Sequence, residues 1–152
     1  MKKIVKFAIV LFVVFGVIAC SENDNFGNEY LDVSFNNISG DWKMESYEGG
    51  ITLPEGGYYY ITFNRKDRRF VSYDNTDSMG AEKLTGRYDI VVNEAAVISG
   101  MYDHRGDWEH RFYVRNLTKE RMVWVAVDDE SIVRVYVRTE LPEWLPKDST
   151  EE

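Results

Sequence analysis

Between residues 39 and 139, apolar and polar positions alternate in short runs separated by turns rich in Gly, Pro, Asn and Asp. Trp42, Met44 and Ser46 alternate with Lys43, Glu45 and Tyr47. GYYYITFN (57–64) follows a Pro54-Glu55-Gly56 turn, and RRFVSYD (68–74) follows a charged one. KLTGRYDIV (83–91) and AAVISGM (95–101) flank Val92-Asn93-Glu94. WEHRFYVRN (108–116), RMVWVAV (121–127) and SIVRVYVRT (131–139) complete the series. Period-two alternation and β-branched and aromatic residues predict eight short strands. No segment of ten or more residues in this stretch has helical periodicity. The spacing predicts an all-β antiparallel meander, closed as a barrel or folded as a sandwich.

Alternation also assigns an inward face. It takes Trp42 and Met44 from the first strand, Tyr59, Ile61 and Phe63 from the second, and Tyr88 and Ile90 from the fourth. Phe112 and Val114 follow, then Met122 and Trp124, then Val133, Val135 and Val137 on the last strand. Large side chains dominate this set. An eight-stranded barrel is just wide enough for its side chains to fill it or for one small ligand to enter. Such a lining suits a solid core, and equally suits an apolar, flat or acyl-like ligand.

The pattern before residue 39 is different. Lys2, Lys3 and Lys6 precede an uncharged apolar run from Phe7 to Ile18, too short to span a bilayer comfortably and of the length of a signal-peptide core. Cys20, the single cysteine, follows Val17-Ile18-Ala19. This arrangement resembles the lipobox of bacterial lipoproteins. The resemblance implies a signal helix and signal peptide over 1–19, cleavage before Cys20, and lipidation of Cys20. The partner so implied is a membrane, held through the N-terminal lipid. Two or more acyl chains, at about 0.8 kcal/mol per buried methylene, make such an anchor stable.

Residues 20–37 then comprise the lipidated cysteine and a flexible acidic tether, able to reach on the order of 55 Å when stretched. Glu22 and Asp24 resemble the export signal of lipoproteins in the Bacteroidetes. That implies the outer membrane, with its periplasmic face and the cell surface both open. Losing residues 1–19 removes three lysines and no acid, which takes the net charge from −8 to −11. So negative a surface repels nucleic acid and argues against it as a partner.

Ile38-Ser39-Gly40-Asp41-Trp42 resembles the Gly-x-Trp signature on the first strand of lipocalins. Leu84-Thr85-Gly86-Arg87-Tyr88 is similar to a mid-barrel strand of small bacterial lipocalin-like lipoproteins, and 117–122 to their turn into the penultimate strand. The resemblance covers about residues 38–140. It implies an eight-stranded antiparallel up-and-down barrel there, with Arg138 packed over Trp42 as a barrel-end pair. Residues 141–152, with Pro142 and Pro146, form a tail anchored by Trp144.

Chemistry-bearing motifs are scarce. There is no Gly-x-Ser-x-Gly and no phosphate-cradling glycine loop, and lipidation would consume the thiol of Cys20. His104 and His110 lie in YDHRGDWEH, whose spacing matches no short zinc motif, so a charged hairpin tip is the reading. Asp128 and Asp129 sit in a turn. No catalytic residue, metal or cofactor is assigned. The chain is expected to be a non-catalytic, lipid-anchored, lipocalin-like protein of the cell envelope. A small apolar ligand would be lined by Tyr59, Phe63, Tyr88, Phe112 and Trp124. The rival is a filled barrel that docks a protein or glycan complex through Tyr47, Tyr73 and Trp144.

Overall fold

The alternation over residues 40–47 becomes strand β1 (Gly40–Tyr47), which buries Trp42, Met44 and Ser46 and exposes Lys43 and Glu45. The computed structural model describes residues 29–76 and 81–145. The expected signal peptide 1–19 with its expected helix, Cys20, the first part of the expected tether and tail residues 146–152 lie outside the described residues. A one-turn helix, α1 (Phe35–Ile38), precedes β1. The other strands are β2 (Ile51–Thr52), β3 (Tyr59–Asn64), β4 (Arg69–Asp74), β5 (Glu82–Val92) and β6 (Ala96–Tyr102). Then come β7 (Gly106–Asp107), β8 (Phe112–Arg115), β9 (Arg121–Ala126) and β10 (Val133–Arg138).

β2 and β7 are two-residue returns on β1 and β6. The eight longer strands pair antiparallel with their sequence neighbours, and β10 pairs with β1 to close the ring. The fold is an all-β, eight-stranded, up-and-down barrel. Closure leaves no long edge for another chain to extend. The core runs along the inside, from Ile38 and Trp42 through Phe63 and Trp124 to Tyr136. Bulk alternates with its absence there. Phe70 lies over Gly86, its register partner, so a Cβ at Gly86 would meet that ring at 2.6 Å.

The structure corrects the expected inward face on the last strand. Tyr136 is fully buried, opposite Met44 on β1 and Met122 on β9. Strand alternation then turns Arg134 and Arg138 inward with it, and Val133, Val135 and Val137 outward. Hydrophobicity alone favoured the valines. Each arginine instead has an aromatic seat inside: Arg138 on Trp42, and Arg134 over Phe112 at 4.8 Å.

The strand expected over 108–116 begins only at Phe112. β6 and β8 share just two register pairs, Val97↔Tyr113 and Ile98↔Phe112. Ahead of them the Trp108 N–H donates to Gly100 O at 2.8 Å, and the indole lies on Gly100. Both ends of the barrel domain also differ from expectation. The tether was expected to run to Asn37, but Leu31, Val33 and Phe35 pack against the core, and Leu31 N–H donates to Leu117 O. Ser34 caps α1 by accepting from Asn37 N–H. In the tail, Leu145 is the anchor, buried on the outer wall against Tyr60 and Tyr73. Trp144 stays 62 % exposed, with its ring 4.9 Å from that of Tyr58.

Candidate functional site

The two ends of the barrel differ in kind. At the closed end, α1 lies across the opening. Trp42 Nε1 donates to Ile38 O at 2.7 Å, and the Arg138 guanidinium stands 3.8 Å from the centroid of the Trp42 ring. Phe35 packs against Tyr88 and lies beneath the guanidinium of Arg68.

The middle is filled. Phe63 stacks edge-on to Tyr88 at 4.7 Å, and Trp124 touches Phe112 at 5.2 Å and Tyr136 at 4.7 Å. The five residues expected to line a ligand therefore divide. Phe63 and Tyr88 are core at the closed half. Phe112 and Trp124 form the floor of a cavity at the open half, and Tyr59 is part of its wall. The structure does not bring all five to one pocket.

That cavity has a volume of about 340 Å³. Tyr59, Tyr102, Trp108 and Arg134 belong to its inner wall, with Asp74, Arg105, Asp107, Glu109 and His110 also lining it. A second space of about 360 Å³ shares Tyr59, Asp74, Glu109, His110 and Arg134 with it and extends to Tyr47, Leu53 and Ile132. A groove of about 560 Å³ runs along Arg87, Asp89 and Met101, shares Asp107, Trp108, Glu109 and His110 with the open-end cavity, and does not reach Arg134. The open-end cavity reaches the aromatic floor of Phe112 and Trp124 inside the barrel.

Burial sets the electrostatics of this end. It holds the Tyr59 phenol well above the usual tyrosine range, and it raises Tyr102. It pushes Tyr136 up to about 12 despite the neighbouring positive charge of Arg134. All three hydroxyls are therefore neutral donors at physiological pH. His110 closes the rim through a bond to Asp128 at 2.9 Å, which holds the Asp128 carboxyl below the usual range. The Ser131 hydroxyl does the same for Asp129. Both carboxylates of that turn are thus engaged by neighbours. Among the described residues, no three His, Cys, Asp or Glu side chains gather as a metal site.

Residues 38–124 match the family model of the lipocalin-like domain. The chain belongs to the lipocalin-like domain family. No curated protein and no solved structure matches it. The match runs from the end of α1 through most of β9, so it includes the Gly-x-Trp strand and the aromatic floor of this lipocalin-like barrel. Arg134, on β10, falls beyond it.

Sequence reasoning missed Tyr102, Trp108, Arg134 and Tyr136. For Tyr136 and Arg134 a signal existed. Packing Arg138 over an inward Trp42 requires Arg138 to point inward, and alternation then carries Tyr136 and Arg134 with it. Trp108 had none, because its inward position depends on the bare surface of Gly100 on the neighbouring strand.

The docking rival loses its patch. Tyr73 is buried beneath Leu145, and Tyr47 is half-buried against the core rather than on the outer face. Of the three aromatics, Trp144 alone is largely exposed.

Proposed function

We propose that this lipocalin-like domain is a non-catalytic binding protein of the cell envelope, held to a membrane through Cys20, that takes one small molecule at the open end of its barrel. The observation that carries the reading is the cavity above Phe112 and Trp124. Its volume of about 340 Å³ lies at the small end of ligand pockets. The filled half below it limits the ligand to a short chain or a ring or two. The apolar floor and polar mouth suit an amphipathic molecule rather than a wholly apolar one.

Titration with the neutral probe N-phenyl-1-naphthylamine tests the pocket. Trp108 and Trp124 border the cavity, so binding is expected to quench their fluorescence. It is also expected to raise Tm with ligand concentration by mass action. Micromolar affinity is expected, since large side chains already occupy much of the interior. No quenching and no Tm shift up to the solubility limit of the probe would refute a binding pocket.

Anchoring has its own test. Cys20→Ser is expected to abolish incorporation of a labelled fatty acid in cells. Label on the serine variant would rule the anchor out.

A further inference from the structure

We infer that the open-end cavity recognises the carboxylate of a small amphipathic acid, with Arg134 as the counter-charge. This deepens the proposed function and rests on its reading of the cavity as a binding site. An arginine on the inner face of a barrel must be accounted for, because burying a cation is costly unless a partner compensates. Arg138 solves this with protein groups, donating to the carbonyls of Ser39, Asn37 and Lys119. Arg134 does not. It stands over Phe112 and forms no ion pair among the described residues. The Tyr136 hydroxyl beside it is neutral and leaves its charge unbalanced. Its guanidinium presents planar paired donors beside a cavity, the geometry that binds a carboxylate bidentately.

The groups around Arg134 are also donor-rich. The indole N–H groups of Trp108 and Trp124 are buried without a hydrogen-bond partner among the described residues, and an indole can only donate. Tyr59 and Tyr102 border the same space with neutral hydroxyls. A ligand rich in acceptors fits such a wall. Asp74, Asp107 and Glu109 also line this cavity, and so does Arg105, whose guanidinium is paired with Glu82; among the described residues none of the three carboxylates forms an ion pair with Arg134. Asp74 accepts from the N–H and hydroxyl of Thr76, and Glu109 is turned to solvent with 84 % of its side chain exposed. A ligand would therefore place its apolar part over Phe112 and Trp124 and its acid group on Arg134.

The test compares octanoate with octanamide, which has the same chain but no charge, on the full chain held in phosphatidylcholine nanodiscs. Octanoate is expected to bind about 10- to 100-fold more tightly, the range of a charge-assisted hydrogen-bonded contact. Arg134→Met is expected to abolish that preference, bringing the affinities for the two probes within about threefold of each other. Arg134→Lys, which keeps the charge but loses the fork, is expected to retain part of it. If Arg134→Met fails to fold, the wild-type preference and the lysine variant decide. Equal binding of the two probes by the wild type overturns the carboxylate assignment and leaves the pocket standing. Binding of neither probe overturns the pocket as well. An octanoate preference unchanged in both variants would place the acid group elsewhere and overturn the role of Arg134.

Discussion

Trp42→Ala is expected to destabilise the protein by about 3 to 5 kcal/mol, the cost of emptying a large aromatic site in a core. Trp42 is fully buried, and three separate elements meet on it. Its indole N–H holds the end of α1 through Ile38 O, and its ring face carries the Arg138 guanidinium at 3.8 Å. A desolvated cation–π contact contributes roughly 1 to 2 kcal/mol. Arg138 in turn donates to Ser39 O at 2.5 Å and Asn37 O at 3.0 Å, which draws the start of β1 onto the end of β10. Gly40 makes this approach possible. It adopts φ +110, and a Cβ there would lie 2.7 Å from an Arg138 nitrogen. The Gly-x-Trp pattern is thus a physical unit, with a glycine that leaves room for the guanidinium and a tryptophan on which it rests. Urea denaturation should show the full loss as a lower midpoint at unchanged slope. Trp42→Phe, which keeps most of the ring but not the N–H, should lose less. A loss below about 1 kcal/mol for Trp42→Ala would mean that the barrel end does not depend on this residue.

The barrel was legible because its signal is local and repeated. Each strand carries its own alternation, and eight of them in a meander point to an all-β fold independently of any one boundary. Boundaries held within a few residues wherever a turn follows the strand directly. They failed at 109–111, between the backbone bond from Trp108 N–H to Gly100 O and the first β8 pair at Phe112. The phase of β10 failed for a different reason. In RVYVR the valines and the Arg-Tyr-Arg set are equally spaced, and hydropathy favours the valines. What decides the phase is nonlocal: register with Met44 and Met122, and an aromatic seat for each arginine.

The site was less legible than the fold. An aromatic lining at alternating positions identifies the barrel interior, but not which part of it is solid. Phe63 and Tyr88 look like Phe112 and Trp124 in the sequence. They differ because α1 and Phe35 cover one end of the barrel, whereas His110, Glu109 and Asp74 only border the other. The N-terminal segment conceals this as well. Its Asn and acidic residues suggest a tether throughout, while Leu31, Val33 and Phe35 are enough to fold its last part onto the barrel.

The seat of Trp108 on Gly100 is expected to behave as one unit, and its disruption should rank with the loss of Trp42 in effect. Trp108→Ala should cost about 3 kcal/mol, at the lower end for tryptophan because the side chain is only half-buried. Gly100→Ala should cost about 2 kcal/mol by overpacking, since the new Cβ would lie 2.1 Å from the indole. The indole has nowhere simple to go, being held between Phe70 at 5.1 Å and Trp124 at 5.5 Å. In the double variant the two costs should not add. With the indole gone, the added methyl group at position 100 enters vacated space, so Gly100→Ala should become nearly neutral in the Trp108→Ala background. A coupling of about 1 to 2 kcal/mol is expected from denaturation of all four proteins. Additivity within about 0.5 kcal/mol would show that the indole does not rest on Gly100 in solution. The same cycle bears on binding, because Trp108 is part of the cavity wall. Trp108→Ala should enlarge the cavity and admit ligands longer than octanoate while leaving the carboxylate preference set by Arg134 intact. Stability and ligand size would then change together at Trp108, whereas charge selection would stay with β10.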